Sequence, residues 1–261
     1  MQVELPSQGL LGLREVSLEL PKYKHVRAIA QLNCSPEMRG IEFVKSLIPS
    51  SEFLSRMTIQ DKDYLLIIAV SALHLNSIEV SATCRCGNKV SVVYDITKEE
   101  VVDLSQSTPP VVTKEFQGKS YEYHFLSAAD EVEIIDYARR VPEEYNNRYM
   151  EGYICKVFGL PLSEENVQST FDYDLTLYHS PLLFREMSFH GVRDFVSASC
   201  PKCGEKLLIR VQFAKSLEVW SPEDVVNQYL QVSKYLGFSE FLEMSFSEIA
   251  QIRANVKSGA I

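Results

Sequence analysis

One phrase containing two cysteines occurs twice in this chain and restricts how it can fold. VSATCRCGNKV carries Cys84 and Cys86, and VSASCPKCGEKL, far downstream, carries Cys200 and Cys203. Cys-Pro-Lys-Cys-Gly in the second copy is typical of a zinc knuckle, a tight turn that directs two thiolates to one side. Because one knuckle supplies only half of a tetrahedral site, we expect both turns, each at the tip of a β-hairpin, to share one zinc ion as in a zinc ribbon.

A site closed by four thiolates leaves no position for water or substrate, so this zinc is predicted to be structural rather than catalytic. Cys-x-Cys is a less common knuckle than Cys-x-x-Cys, and reduced free thiols or a lost site remain the alternatives. Four basic residues flank the sulfurs and would offset the negative charge of a thiolate-bound ion. They could instead contact nucleic acid. These residues are Arg85, Lys89, Lys202 and Lys206.

Composition favours a soluble protein with protein partners. The chain has 261 residues, 46% of them hydrophobic, and a net charge of -9, whereas proteins that bind duplex DNA usually carry a basic face. No apolar run is long enough to span a bilayer, and the N-terminal residues do not resemble a signal peptide. A cytosolic location is therefore expected, where thiols stay reduced. We assign no function to the remaining cysteines, Cys34 and Cys155, and expect Cys155 to be a buried free thiol.

The order of elements predicts an α+β fold with two duplicated helix-plus-β-hairpin halves, joined by the four-cysteine site and followed by C-terminal helices. The first half spans residues 1–104. The second spans residues 112–220 and includes inserted helices before its cysteine hairpin, and a helical segment covers residues 221–261. Pro109 and Pro110 indicate a linker between the halves. A chance match between the two cysteine phrases is the alternative to duplication.

Helix-start signals support this alignment of the halves. Thr58 with Asp61, and Ser127 with Asp130, have the spacing of a capping box, and an apolar helix pattern follows each. The segments LREVSLELP and KHVRAIAQLN near the N-terminus alternate apolar and polar residues, as half-buried strands do. A helix is expected after Ser35-Pro36-Glu37. TKEFQGKSYEYHF predicts a hairpin, and YNNRYMEGYICKVFGLP and the first part of YHSPLLFREMSFHGVRDF predict helices.

The C-terminal segment is predicted to be helical. Ser221 is an N-cap candidate with Pro222 at the first helical position, and Gly237 is a candidate stop. Ser245 and Glu248 begin a last helix. Its aromatic side chains suit either core packing or an apolar surface that docks a partner protein. They are Tyr229, Tyr235, Phe238, Phe241 and Phe246.

Signatures of enzymes are missing from the sequence. It contains no phosphate-binding loop, dinucleotide-binding glycine motif, metalloprotease H-E-x-x-H or hydrolase nucleophile elbow. His179 and His190 flank a predicted helix, where a position at a terminus or on the surface is the ordinary expectation. Acidic residues lie in first helical turns, where capping and the helix dipole account for them. They are Asp61, Asp63, Asp130, Glu131 and Glu133. We predict that the protein is not an enzyme, and no catalytic residue is assigned.

Taken together, these features resemble the T4-like bacteriophage baseplate hub and hub-assembly proteins. The resemblance is carried by LTLYHSPLLFREMSFHGVRDFVSASCPKCGEKLLIRVQF, by the tail SKYLGFSEFLEMSFSEI and by RMTIQDKDYLLIIAVSALHLNSIEVSATCRCG. It covers most of the chain from about Met57 onward and not the N-terminal strands. Cys200 and Cys203 match the family's cysteine turn, and Cys84 and Cys86 correspond to it less closely.

The resemblance implies a structural subunit or an assembly chaperone of the contractile-tail baseplate. Its partners would be other tail proteins, such as the hub and the tape measure, with no nucleic acid and no membrane span. It would reside in the host cytoplasm during assembly and in the virion tail if it remains there. Two other classes stay open: a zinc-ribbon nucleic-acid or transcription-associated module, and an enzyme whose site has no recognisable motif.

Overall fold

Helices and short two-stranded antiparallel sheets alternate along the chain. The structure, a computed structural model, describes residues 1–50, 53–73, 77–98, 100–116, 118–172, 184 and 188–258. The helices are α1 Tyr23–Ala30, α2 Pro36–Leu47, α3 Ile59–Ala72, α4 Ala128–Ala138, α5 Tyr145–Val157, α6 Glu164–Asp172, α7 Pro222–Leu230, α8 Phe238–Glu243 and α9 Phe246–Ser258. The strands are β1 Gln2–Glu4, β2 Glu15–Ser17, β3 Ser77–Thr83, β4 Lys89–Asp95, β5 Val101–Val102, β6 Val111–Phe116, β7 Lys119–His124, β8 Gly191–Val192, β9 Phe195–Ser199 and β10 Lys206–Arg210. The prediction of a mixed helix and strand fold is confirmed.

Both cysteine phrases form hairpins. β3 pairs with β4 and β9 pairs with β10, each antiparallel, with the cysteines in the connecting turns. The predicted hairpin of β6 and β7 is also present, with Gly118 in its turn at a φ of 74°. β5 pairs with β8 and so joins the two predicted halves. Both halves contain a capped helix and a cysteine hairpin in that order, and their origin by duplication stays a prediction.

Helix α3 lies at the centre of the main hydrophobic core. Its sequence, IQDKDYLLIIAVSA, is apolar on more than one side, and Leu65, Leu66 and Val70 are almost fully buried. The same core includes the inner faces of both cysteine hairpins, through residues such as Val80 and Ile209. The hairpins are therefore held by apolar packing as well as by whatever joins their turns.

The N-terminal segment differs from its prediction. LREVSLELP contains the short strand β2, as expected, but KHVRAIAQLN forms most of α1 rather than a strand. Tyr23, Val26 and Ile29 are spaced for one face of a helix and are all buried. Tyr23 stacks on Phe246 with a centroid distance of 4.0 Å. An apolar pattern this short fits both the two-residue period of a strand and the 3.6-residue period of a helix. Packing against the C-terminal helices favours the helix.

The two predicted capping boxes are present, and their helices begin side by side. Thr58 Oγ1 accepts a hydrogen bond from the Asp61 N–H at 3.1 Å, and Ser127 Oγ accepts one from the Asp130 N–H at 3.1 Å. Thr58 and Ser127 also form an isolated antiparallel bridge. The N-termini of α3 and α4 therefore contact each other, and this contact joins the two predicted halves.

The C-terminal helices differ from the prediction at one point. Ser221 caps α7 with Pro222 at the first position, as predicted, but α7 ends at Leu230 and Gly237 instead precedes α8. Most of the aromatic side chains pack in the core. Phe241 and Phe246 are buried, whereas Tyr235 is 44% exposed. Core packing is therefore the interpretation that the structure favours for this segment.

Two predicted segments can be compared only in part. The linker around residues 104–112 is irregular as far as Pro110, where β6 begins one residue later. The helix expected within YHSPLLFREMSFHGVRDF lies mostly outside the described residues, and its last part forms β8 and the start of β9. Among the described helices, none combines the length and the apolar composition needed to cross a bilayer.

Candidate metal centre

The first cysteine turn connects β3 to β4. The Cys84 N–H donates to the Asn88 carbonyl at 2.8 Å, and the Gly87 N–H donates to the Cys84 carbonyl at 2.8 Å. Gly87 has a φ of 82°, a backbone conformation that is costly for residues with a Cβ atom. The sequence Cys-Arg-Cys-Gly therefore folds into a tight turn even with one residue fewer between its cysteines.

The second cysteine turn connects β9 to β10 by a similar set of contacts. The Cys200 N–H donates to the Glu205 carbonyl at 2.8 Å, and the Gly204 N–H donates to the Cys200 carbonyl at 2.8 Å. Gly204 has a φ of 76°. Both hairpins thus end in a glycine-dependent turn that presents two sulfurs, as the repeated phrase predicts.

All four predicted cysteines come together at one place. The Sγ atoms of Cys84 and Cys203 are 3.5 Å apart, and those of Cys86 and Cys200 are 3.7 Å apart. All four Sγ atoms lie within 4.8 Å of one another. Disulfides, with sulfurs at about 2.05 Å, are absent from these pairs. Tetrahedral zinc bonds of about 2.3 Å place sulfurs about 3.8 Å apart, so the cluster fits such an ion.

The cluster is buried on one side and accessible on the other. Cys84 and Cys200 are each 2% exposed and face the main core. Cys86 is partly exposed and Cys203 is exposed. A metal held here would be shielded by both hairpins from within while two of its ligands remain in contact with solvent.

The polar surroundings of the sulfurs are asymmetric. Cys84 Sγ donates to Glu205 Oε2 at 3.0 Å, and Asn88 Nδ2 donates to Cys200 Sγ at 3.7 Å. Burial acts to raise the pKa of the Cys200 thiol, but the backbone N–H groups of Cys203 and Lys202 outweigh it and lower this pKa to about 6. Such N–H groups stabilise a thiolate, the form that binds metal.

The Cys84 thiol, by contrast, keeps its proton in the absence of metal. The Cys86 N–H acts to lower the pKa of Cys84, but the hydrogen bond to the Glu205 carboxylate raises it overall. Arg85 Nε lies 3.6 Å from Glu205 Oε1. Arg85 is therefore paired with the Glu205 carboxylate. Binding of a metal ion by Cys84 would have to displace the proton of its thiol.

The two lone cysteines lie apart from the cluster. Cys155 is fully buried, with its Sγ 3.6 Å from the Pro161 carbonyl oxygen, and is a free thiol, as predicted. Cys34 is a partly exposed free thiol. Both can serve as internal controls because neither approaches the four-sulfur group.

The expectation that His190 lies at the surface is wrong. Its side chain is fully buried, its Nε2 lies 2.8 Å from Thr58 Oγ1 and its Nδ1 lies 3.1 Å from the Ser188 carbonyl oxygen. Burial lowers the pKa of His190, and the Ser188 carbonyl and Asp61 oppose this only in part. His190 therefore supports the cap of α3 as a neutral side chain. His179 lies outside the described residues.

Sequence reasoning missed a buried ion pair between α3 and α4. Lys62 Nζ lies 2.8 Å from Glu131 Oε2 and 2.7 Å from Asp63 Oδ1. Lys62 and Glu131 are each 3% exposed, and Tyr149 donates to Glu131 Oε1 at 3.2 Å. Burial acts to lower the pKa of Lys62, but the two carboxylates raise it overall. No local pattern predicts this pair, because its members are far apart in sequence.

The predicted capping role is confirmed for Asp61 and Asp130, whereas Asp63, Glu131 and Glu133 form ion pairs with lysines. Asp61 Oδ2 accepts the Thr58 N–H at 3.0 Å and Asp130 Oδ2 accepts the Ser127 N–H at 2.9 Å, so both are capping residues. Glu133 pairs with Lys156 at 2.5 Å. Capping or ion pairing accounts for Asp61, Asp130 and Glu133 without acid or base chemistry.

No protein-family model, curated protein or solved structure matches this chain. The four-cysteine geometry is therefore the feature from which a function can be inferred. Four thiolates that close around one ion provide no open coordination position, and this arrangement suits a structural metal. The cysteines cluster where they could bind a metal ion, and the sulfur-only ligand set favours a soft or borderline metal.

Proposed function

We propose that Cys84, Cys86, Cys200 and Cys203 bind one structural zinc ion. The observation that carries this proposal is the approach of all four Sγ atoms within 4.8 Å of one another, at separations close to the edge of a zinc–thiolate tetrahedron. Four soft ligands and a tetrahedral arrangement suit zinc, and an iron site of the same geometry is the chemical competitor. The ion would hold together two hairpins from distant parts of the chain.

Metal analysis of protein purified without chelator tests the zinc proposal. The expected content is about one zinc per chain, with no iron and no visible absorption from iron–thiolate charge transfer. A variant with Cys200→Ser and Cys203→Ser should lose the zinc, and the matched variant Cys34→Ser should retain it. Less than about half an equivalent of zinc in the unaltered protein would contradict the proposal.

The proposed biochemical role is that of a protein-binding component rather than an enzyme. Support comes from the closed ligand set, from the net charge of -9 and from apolar side chains on the outer faces of the hairpins. Val93 on β4 is 69% exposed, Leu208 on β10 is 70% exposed and Phe195 on β9 is 39% exposed. Exposed apolar side chains of this size are common at protein interfaces.

More specifically, we propose a component of the contractile-tail baseplate hub of a bacteriophage, either a subunit or a hub-assembly factor. The support is the resemblance of the segments around both cysteine turns and of the C-terminal helices to that family. The proposed partners are hub and tape-measure proteins, met in the host cytoplasm during assembly. The zinc would set the angle between the two hairpins so that both can contact the same partner.

Co-expression with hub and tape-measure proteins, followed by pulldown, tests this role. Association should be retained by Cys34→Ser and weakened by the double variant Cys200→Ser with Cys203→Ser. Val93→Asp with Leu208→Asp separates contact from folding, because these exposed positions can change without disturbing the core. Absence of binding to any tail component, or salt-dependent binding to DNA or RNA instead, would contradict the proposal.

A further inference from the structure

Two close contacts between sulfurs cross from one hairpin to the other. Cys84 lies 3.5 Å from Cys203 and Cys86 lies 3.7 Å from Cys200, measured between Sγ atoms. A disulfide bond needs about 2.05 Å. Each pair would therefore have to close by about 1.5 Å to form a disulfide.

Each crossing pair combines one accessible sulfur with one buried sulfur. Cys203 is exposed and its neighbour Cys84 is 2% exposed, while Cys86 is partly exposed and its neighbour Cys200 is 2% exposed. An oxidant from solvent can reach the accessible member first, and the buried member is then in place to react with the product. This is the arrangement of a reactive cysteine with its resolving cysteine.

We propose that the cluster is a peroxide-responsive thiol switch whose oxidised form contains the disulfides Cys84–Cys203 and Cys86–Cys200. The switch rests on the proposed metal site, because oxidation of the thiolates removes the ligands and releases the ion. The oxidant is a hydroperoxide such as hydrogen peroxide. The reductant that restores the thiols is a dithiol.

The chemistry of one pair proceeds in two steps. The Cys203 thiolate attacks one peroxide oxygen, the O–O bond breaks, and the products are a Cys203 sulfenic acid and hydroxide. Cys84 Sγ then attacks the sulfenic sulfur, its proton passes to the Glu205 carboxylate 3.0 Å away, an S–S bond forms and a second hydroxide leaves. Two electrons pass from the two sulfurs to the peroxide. Cys86 and Cys200 consume a second peroxide in the same way.

The pairing decides what happens to the hairpins after the metal leaves. Disulfides that cross between the turns keep β3–β4 covalently joined to β9–β10, whereas a Cys200–Cys203 disulfide within one turn would leave the two hairpins without a covalent link. A Cys84–Cys86 disulfide would close a small ring around a single residue and carry strain. Oxidation would therefore replace the link through the metal ion with disulfide links between the same two hairpins.

Peroxide treatment of the zinc-loaded Cys34→Ser protein tests the switch. Released zinc is followed with a chromophoric chelator, and disulfides are mapped by mass spectrometry after digestion without reductant. Release of about one zinc per chain, with cross-hairpin peptides at least about tenfold more abundant than the within-turn Cys200–Cys203 peptide and restoration by a dithiol, is the expected result. Predominant within-turn disulfides, or sulfinic acids without disulfides, would overturn the proposal.

A second measurement separates this proposal from the zinc site. If the purified protein carries no metal, the zinc proposal fails, and disulfide mapping of the same metal-free protein still tests the pairing. If zinc is bound but the cross-hairpin peptides do not form on oxidation, the switch fails while the site stands. Cys203→Ala removes the accessible member of one pair and should abolish only the Cys84 cross-link in the oxidised protein.

Discussion

Two of the junctions between the first part of the chain and the second differ in chemistry. At the hairpin tips, four cysteine sulfurs meet within 4.8 Å of one another. At the helix starts, Thr58 bridges to Ser127 and Lys62 pairs with Glu131 in a buried setting. With the proposed zinc ion, the first junction would depend on metal and on reduced thiols, whereas the second is held by hydrogen bonds and a buried ion pair.

The difference shows that the two junctions fail under different conditions. Chelation or oxidation acts on the sulfurs and leaves the helix junction in place. Acid or the loss of one charged partner acts on the helix junction, where a buried charge without its partner is costly.

Metal removal is expected to have the largest effect. A ligand at about 1,000 times its Kd stabilises the folded state by about 4 kcal/mol, and each kcal/mol shifts Tm by about 2–4 °C at this size. Chelation should therefore lower Tm by about 8–16 °C in a thermal scan. Re-addition of zinc should restore it. An unchanged Tm after verified metal removal would show that the hairpins do not need the ion.

Replacement of Lys62 by Met should destabilise the helix junction by about 3–5 kcal/mol, because buried Glu131 loses its ammonium partner. Chemical denaturation measures this loss. The double variant Lys62→Met with Glu131→Gln should be more stable than Lys62→Met alone. Lys156→Met, which breaks a more accessible ion pair, is the matched control and should cost less.

The pH dependence of stability should identify His190. Its folded-state pKa lies below the unfolded value of about 6.5 because burial disfavours the charged form. Its contribution is therefore fully present above about pH 6.5 and is lost as the pH falls from there toward the lowered folded pKa, by at most about 1.4 kcal/mol per pH unit. His190→Gln should flatten the stability profile in this range. An unchanged dependence of stability on pH in this variant would contradict the assignment of this pH range to His190.

The caps should show the smallest effects. Ser127→Ala removes one cap of the helix junction and should cost about 1 kcal/mol in denaturant unfolding. Thr58→Ala should cost more, because Thr58 Oγ1 also contacts the buried His190. Ser245→Ala, at the exposed cap of α9, should cost less than either. Equal losses of stability at all three positions would show that contacts between the two helix starts contribute no stability beyond that of ordinary helix caps.

Local signals predicted the site well. The repeated cysteine phrase identified both hairpins and all four clustered cysteines, since a knuckle, its glycine and the flanking strands lie within a few residues. The capping boxes at Thr58 and Ser127 were likewise predicted, because each depends on residues three positions apart. These features need no knowledge of how distant segments pack.

Features set by tertiary packing were predicted poorly. The strand expected at KHVRAIAQLN is helix α1, because Tyr23 packs between α8 and α9 residues that sequence alone does not place beside it. His190 is buried for the same reason. Lys62 lies within the polar run QDKD, which predicts a solvated face, yet α4 covers it.

The wide sequence separation of the two turns has a consequence during synthesis. Cys200 follows Cys86 by 114 residues, which a ribosome adds in about 6–23 s at about 5–20 residues per second. Until then only the two cysteines of the first hairpin are available, so an ion would have two of its four ligands and would be bound weakly. Capture of a metal by all four ligands is therefore expected to wait for synthesis of the second turn and to follow local folding of α3 and β3–β4.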